Sequence, residues 1–256
     1  MNSGMRAHRA GRVSGRTPSF GRAWRHRSVL AAFLAMAAAV AAGCGGGGSE
    51  PPAEASGAVG GAPAAPAPDD TPRIVCLGDS LTAGYGLAQS DAYPALLQGR
   101  LREAGYPHDV VNAGVSGDTS AGGLRRLDWS LRGNVRLLVV ALGANDGLRG
   151  LPVADLGRNL STIIERAKTR GIPVLLAGME APPNFGPAYT RQFRQAYADV
   201  AELHGVRFVP FFLDGVAGQP ALNQADGIHP NARGHRMIAD LLWREIEPML
   251  ESRQTQ

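Results

Sequence analysis

Beyond residue 72 the chain is divided by five short apolar runs with no polar alternation: RIVCL (Arg73–Leu77), DVVNA (Asp109–Ala113), VRLLVVAL (Val135–Leu142), IPVLLAG (Ile172–Gly178) and VRFVPF (Val206–Phe211). Continuous apolar runs are what strands need when both sheet faces are covered, as in parallel sheets. The stretches between them carry helical spacing: Ala92–Gly105, a segment ending at Leu131 that Asp118 could cap, Val153–Arg170 and Tyr189–His204, with a last helix over Pro230–Leu250. Strand–helix alternation with right-handed crossovers predicts an α/β fold. The expected architecture is a three-layer α/β/α sandwich, its five-stranded parallel sheet in the flavodoxin-like order 2-1-3-4-5. No internal repeat interrupts this pattern.

Ligands of such sheets bind beyond the carboxyl ends of the strands, near the point where strand order reverses. Three polar, glycine-rich turns stand there. Gly78-Asp79-Ser80-Leu81 follows the first strand, GVSGDTSAGG (Gly114–Gly123) the second and GANDGLRG (Gly143–Gly150) the third. A fourth motif, DGIHP (Asp226–Pro230), lies beyond the fifth strand after 17 residues of irregular sequence, Phe212–Ile228. A loop of that length is uncommon in a compact domain unless it has a function. Here it could carry a group back across three strand positions, roughly 14 Å at 4.8 Å per strand.

These residue types suit acyl transfer. A serine hydroxyl needs a neighbouring base, and His229 can accept the proton of Ser80. Asp226, three residues earlier, can hold the other imidazole nitrogen and stabilise the imidazolium. Pro230 restricts His229 to extended dihedrals and suits the first position of the last helix. An oxyanion requires preset donors, and the backbone N–H groups of Ser80 and Gly117 and the side-chain amide of Asn145 can supply them. Asp79 reads as structural, fixing the serine turn, Asp118 as a helix cap and Asp146 as a loop residue. His108, His204 and His235 read as solvated or structural. Arg149 and the Met179–Gly186 loop either touch substrate or cover the sheet edge.

The four motifs, in order, resemble the four blocks of the SGNH (GDSL) hydrolase superfamily over nearly the whole of residues 72–256. NDGLRG and MEAPPNFG are most similar to its arylesterase and thioesterase I/lysophospholipase L1 branch, although Ala144 stands where the family commonly has glycine. The resemblance implies Ser80 as nucleophile, Asp226 and His229 as its triad partners, and Ser80, Gly117 and Asn145 as the oxyanion hole. It implies a serine ester hydrolase acting on acyl esters, aryl esters, thioesters or lysophospholipids. Two other readings stay open at this point: a carbohydrate O-deacetylase on the same scaffold, and a non-catalytic ligand-binding envelope lipoprotein.

The first 71 residues have a different character. Residues 1–27 hold seven arginines and no acid, and VLAAFLAMAAAVAA (Val29–Ala42) follows. A basic head, a short apolar core and small residues predict an export signal over 1–43. Ala41-Ala42-Gly43-Cys44 resembles a bacterial lipobox with alanine at the usual leucine position, which makes Cys44 the candidate lipidation site. Cleavage at the alanine run, or an uncleaved anchor, are the alternatives. Residues 44–71 are rich in Gly, Ala and Pro and contain no Leu, Ile or aromatic residue, the composition of a disordered tether. The protein is therefore expected in the bacterial cell envelope, membrane-anchored and facing the periplasm or exterior.

The net charge of +4 comes from that leader. From Thr71 onward 19 Lys and Arg face 18 Asp and Glu, with no basic stripe, so a nucleic-acid partner is not expected. Cys76, inside the first strand, reads as core. Two cysteines exclude a zinc site built on cysteine pairs, and neither a Gly-x-Gly-x-x-Gly turn after strand 1 nor a Walker lysine is present. No metal or cofactor is expected.

Overall fold

A computed structural model describes residues 70–254. The expected signal peptide, Cys44 and nearly all of the tether lie outside the described residues.

The strands are β1 (Arg73–Gly78), β2 (Asp109–Gly114), β3 (Val135–Ala141), β4 (Val174–Ala177) and β5 (Arg207–Val209). They form one parallel sheet in the order β2-β1-β3-β4-β5, as the sequence predicts. Val75 sits opposite Val111 on one side and Leu138 on the other, and Gly78 opposite Gly114 and Ala141. The three central strands therefore end at one level, which sets their following turns side by side.

The main helices are α2 (Tyr93–Glu103), α3 (Ser120–Ser130), α5 (Val153–Thr169), α6 (Gly186–His204) and α7 (Ala232–Gln254), with two short turns of helix, α1 (Ser80–Ala83) and α4 (Ala144–Leu148). α2 packs with α7, while α3, α5 and α6 pack in succession, giving the two outer layers. The amphipathic α5 buries Leu156, Leu160, Ile163, Ile164 and Ala167, a stripe at helical spacing.

Three expectations shift, each for a local reason. β5 stops at Val209 because one extra residue breaks the register there: Val209 O accepts from Gly178 N at 2.8 Å, and a regular parallel ladder would return to Gly178 O through Phe211 N. The chain rejoins at Phe212, whose N–H donates to Gly178 O at 2.8 Å. α3 is capped by Thr119, whose Oγ1 accepts from Gly122 N at 3.2 Å, and not by Asp118, whose Oδ2 accepts from Arg126 Nε at 2.6 Å. α7 begins after Asn231, whose Oδ1 accepts from the N–H groups of Arg233 and Gly234 at 2.9 and 3.2 Å. Pro230 instead pairs with Asn223 as an isolated bridge, so His229 stands just outside the helix.

The β2 edge is partly closed by side chains. Gln98 on α2 donates to His108 O at 3.0 Å and accepts from Val110 N at 2.7 Å, taking the place of a neighbouring strand.

Candidate active site

The turn after β1 leaves no room for a side chain. A Cβ at Gly78 would meet Thr82 Oγ1 at 1.9 Å and the Ala141 carbonyl at 2.9 Å. Asp79 then caps α1, its Oδ1 accepting from Leu81 N at 3.0 Å. Gly84, in the left-handed region at φ 75°, ends this single turn. Ser80 is its first residue, held where the strand gives way to helix. Asp79 is buried completely, and burial pushes its carboxyl up to about 6, against the opposing pull of its hydrogen bonds and of His229.

The turn after β3 is fixed as firmly. Gly143 has φ 112°, and a Cβ there would lie 2.0 Å from Tyr197 Oη. That buried hydroxyl donates to Leu142 O at 2.9 Å. Asn145 follows, its Nδ2 donating to Asp118 O at 2.9 Å and, over a long 3.4 Å, to Asp79 Oδ2. Asp146, expected in a loop, is a buried strut in α4. It accepts from Ser120 N at 2.8 Å and from Ser120 Oγ at 2.6 Å. Arg149 Nη2 donates to Gly117 O at 2.8 Å. Three side chains of the third turn thus hold the second, and Gly117 and Asn145 share one cavity wall with Ser80.

DGIHP is folded by its own aspartate. Asp226 Oδ1 accepts from the N–H groups of Ile228 and His229 at 2.9 and 3.0 Å, and Oδ2 lies 2.7 Å from His229 Nδ1. These bonds to His229 and Ile228 hold the Asp226 carboxyl down at about 2. His229 Nε2 lies 3.0 Å from Ser80 Oγ. Ser80, His229 and Asp226 therefore form one hydrogen-bonded chain, with the Tyr85 ring 4.8 Å from the imidazole.

Gln224 escapes a reading of the sequence. Its N–H donates to His229 O at 2.8 Å, and its Nε2 donates to Pro230 O at 3.0 Å and to Tyr85 O at 2.7 Å. It ties the histidine loop to the serine loop across 139 positions. Asn223 donates to Val216 O and Gln219 O, and Asn231 to Ala221 O and Asn223 O, so side-chain amides organise the irregular segment. Clustered Asn and Gln in a long loop were the available signal, but their partners were not visible.

The cavity beside Ser80 has a volume of about 510 Å³. Leu148, Met179, Pro182, Phe211, Leu213 and Ile228 make its lining largely apolar. Of the Met179–Gly186 loop, residues 179–182 face it. Cys76 is buried in the core, and burial pushes its thiol up to about 12. His235 is buried too, its Nδ1 accepting from Tyr93 N at 3.2 Å. Among the described residues no group of three or more His, Cys, Asp or Glu could hold a metal ion, and no helix is long and apolar enough to cross a membrane.

Residues 76–237 match the GDSL-like Lipase/Acylhydrolase family. Esterase TesA of Pseudomonas aeruginosa is 44% identical over 178 residues, covering 69% of this chain and 89% of that protein. Thioesterase 1/protease 1/lysophospholipase L1 of Escherichia coli K12 is 38% identical over 178 residues, 69% of this chain and 84% of its own. The crystal structure of the psychrotrophic esterase EstA from Pseudoalteromonas sp., inhibited by monoethylphosphonate, superposes with a TM-score of 0.67 at 34% identity, covering 70% of this chain and 98% of that one. The fold and these matches define a serine ester hydrolase. The chain belongs to the GDSL-like lipase/acylhydrolase family.

Proposed function

We propose that the protein is an exported esterase that hydrolyses acyl or aryl esters through an acyl-enzyme on Ser80. The observation that carries this reading is the hydrogen-bonded chain from Asp226 through His229 to Ser80 Oγ, opening on an apolar cavity. His229 Nε2 takes the hydroxyl proton as Oγ attacks the ester carbonyl, and Asp226, held ionised, stabilises the imidazolium at Nδ1. The carbonyl oxygen becomes an oxyanion received by the N–H groups of Ser80 and Gly117 and by Asn145 Nδ2. The hydrogen that Asn145 directs over 3.4 Å to Asp79 is the one weakly engaged, and so the one available to the substrate. His229 returns its proton to the leaving alcohol, then takes one from water as its oxygen attacks the acyl carbon, and passes that proton to Ser80 Oγ as the acyl–Oγ bond breaks and the acid departs.

An apolar lining supports acyl and aryl chains over the acetyl groups of polar carbohydrates. The names of relatives, esterase and thioesterase 1/lysophospholipase L1, support the same range, thioesters included. We further propose that residues 1–43 direct export and that a lipid on Cys44 tethers residues 72–256 to the bacterial envelope. The lipobox-like Ala41–Cys44 sequence supports this.

The test is turnover of a p-nitrophenyl ester series from acetyl to palmitoyl, with fluorophosphonate labelling read by intact mass. The expected result is turnover, best on chains longer than acetyl, with one label that Ser80→Ala abolishes. No turnover and no label would replace this reading with a ligand-binding lipoprotein. For the anchor, cells expressing the full chain are fed a labelled fatty acid. Incorporation lost in Cys44→Ala is expected, and its absence in the parent chain rejects the lipid.

A further inference from the structure

Among the described residues that line the catalytic cavity, Glu180 is the only Asp, Glu, Lys or Arg. Its position follows from the chain leaving β4. Met179 and Ala181 are buried on either side of it, and Glu180 between them is exposed, its side chain 47% accessible. The carboxylate is not neutralised from within the cavity. Its ionic partner, Arg194 of α6, approaches only to 3.4 Å with its own side chain 62% accessible, and is not on the cavity wall. Arg194 and Arg191 instead line a separate hollow of about 140 Å³, with Glu180 on their shared border. Glu180 thus borders both hollows, whereas Arg194 borders only the second. Of the other charged groups on the catalytic face, Asp226 is paired with His229, and Arg149, which donates to Gly117 O, keeps its charge in the parent and in any Glu180 variant alike, so it cancels from a comparison of the two.

We infer that Glu180 sets the charge selectivity of the cavity, admitting uncharged or cationic esters and turning away esters whose bound portion carries a carboxylate or phosphate. This rests on the proposed esterase reading and deepens it. A charge entering an apolar cavity loses hydration, which the wall must replace. A carboxylate replaces it for a cation and adds repulsion for an anion. Neutral acyl and aryl esters meet neither effect. Removing the Glu180 charge also uncovers Arg194 behind it, so the change for anionic substrates exceeds mere loss of repulsion.

The experiment compares matched p-nitrophenyl esters on the full protein. In one series the acyl chain ends in methyl, carboxylate or trimethylammonium. In the other the acyl chain is constant and the aryl leaving group is neutral or carries a carboxylate. The quantity read is the ratio of kcat/KM for the neutral member to that for the anionic member. A ratio of roughly tenfold, about 1.4 kcal/mol, is expected in the series whose charge lies beside Glu180. It should fall to about threefold or less in Glu180→Gln, with the trimethylammonium preference falling in parallel if the acyl end is the one concerned. In the parent protein the ratio should also shrink as salt rises, since a half-exposed charge is screened. Equal ratios in the parent and Glu180→Gln in both series would overturn the inference. Failure to hydrolyse the neutral esters at all would instead overturn the esterase reading, so the two outcomes are distinct.

Discussion

The serine side of the site and the histidine side are built by different means. Ser80, Gly117 and Asn145 stand on turns that continue three adjacent strands, braced by the buried carboxylates of Asp79 and Asp146. Asp226 and His229 stand on a turn held by its own aspartate and by the Gln224 amide, largely at the surface. The first side is a by-product of the core, so removing one of its buried braces damages the fold, while trimming the hydroxyl of Ser80, on the cavity wall, does not. The second is attached by a few hydrogen bonds, and losing them costs alignment more than stability.

Substitutions can break this contrast or sharpen it. The largest expected effect is that of Ser80→Ala or His229→Ala, each lowering kcat by roughly 10⁴-fold or more with little change in Tm. Asn145→Ala removes one oxyanion donor and should cost about 10²–10³-fold in kcat. A KM change without a kcat change would place Asn145 outside the hole. Gln224→Glu keeps the shape but loses both side-chain donors, and it should lower kcat/KM by roughly tenfold or more through kcat, with Tm moving by less than about 2 °C. Asp146→Ala, its counterpart on the serine side, leaves Ser120 N–H and Oγ without their acceptor. It should lower stability by about 3 kcal/mol, seen as a Tm drop of roughly 6–12 °C. If Gln224→Glu melts early and Asp146→Ala does not, the contrast between the two sides is wrong.

The smallest expected effect is a near cancellation. Burial pulls the His235 imidazole down to about 4 from 6.5, so the unfolded chain binds that proton first, and stability is lost as pH falls from 6.5 to about 4. Burial pushes Asp79 up from 3.8 to about 6, so the folded chain holds that proton longer, and stability is lost as pH rises through the same interval. The parent protein should show a nearly flat Tm between pH 4 and 6.5 from these two groups. Asp79→Asn should expose the His235 slope, a loss on acidification of up to about 3 kcal/mol. A Tm that stays flat in the variant would mean that His235 accepts its proton without cost.

How much of this was legible depended on the range of the interaction. The apolar runs announced the strands because each is covered on both faces, and strand order then put Ser80, Gly117 and Asn145 at neighbouring ends. The end of β5 is hidden because Phe211 carries the apolar run past Val209, and a slip of register by one residue leaves no mark on composition. Thr119 and Asp118 are both capable caps. The choice was made by Arg126, which occupies Asp118 and also donates to Gly78 O at 2.7 Å. Asp146 and Gln224 were illegible for a stronger reason. Each acts on a partner from another part of the chain, Ser120 or Tyr85, and nothing in their own neighbourhoods names it.

The hydrogen bond between Ser80 and His229 joins residues 149 positions apart. In the proposed mechanism the nucleophile is synthesised early and its base late. A growing chain carries the serine turn long before any residue able to activate it, and the loop bearing His229 is pinned by Asn231 at the foot of the final helix. On that mechanism hydrolysis waits until the chain has passed His229. Fragments that end before Asp226 are expected to fall silent in an ester assay even where the serine turn has formed.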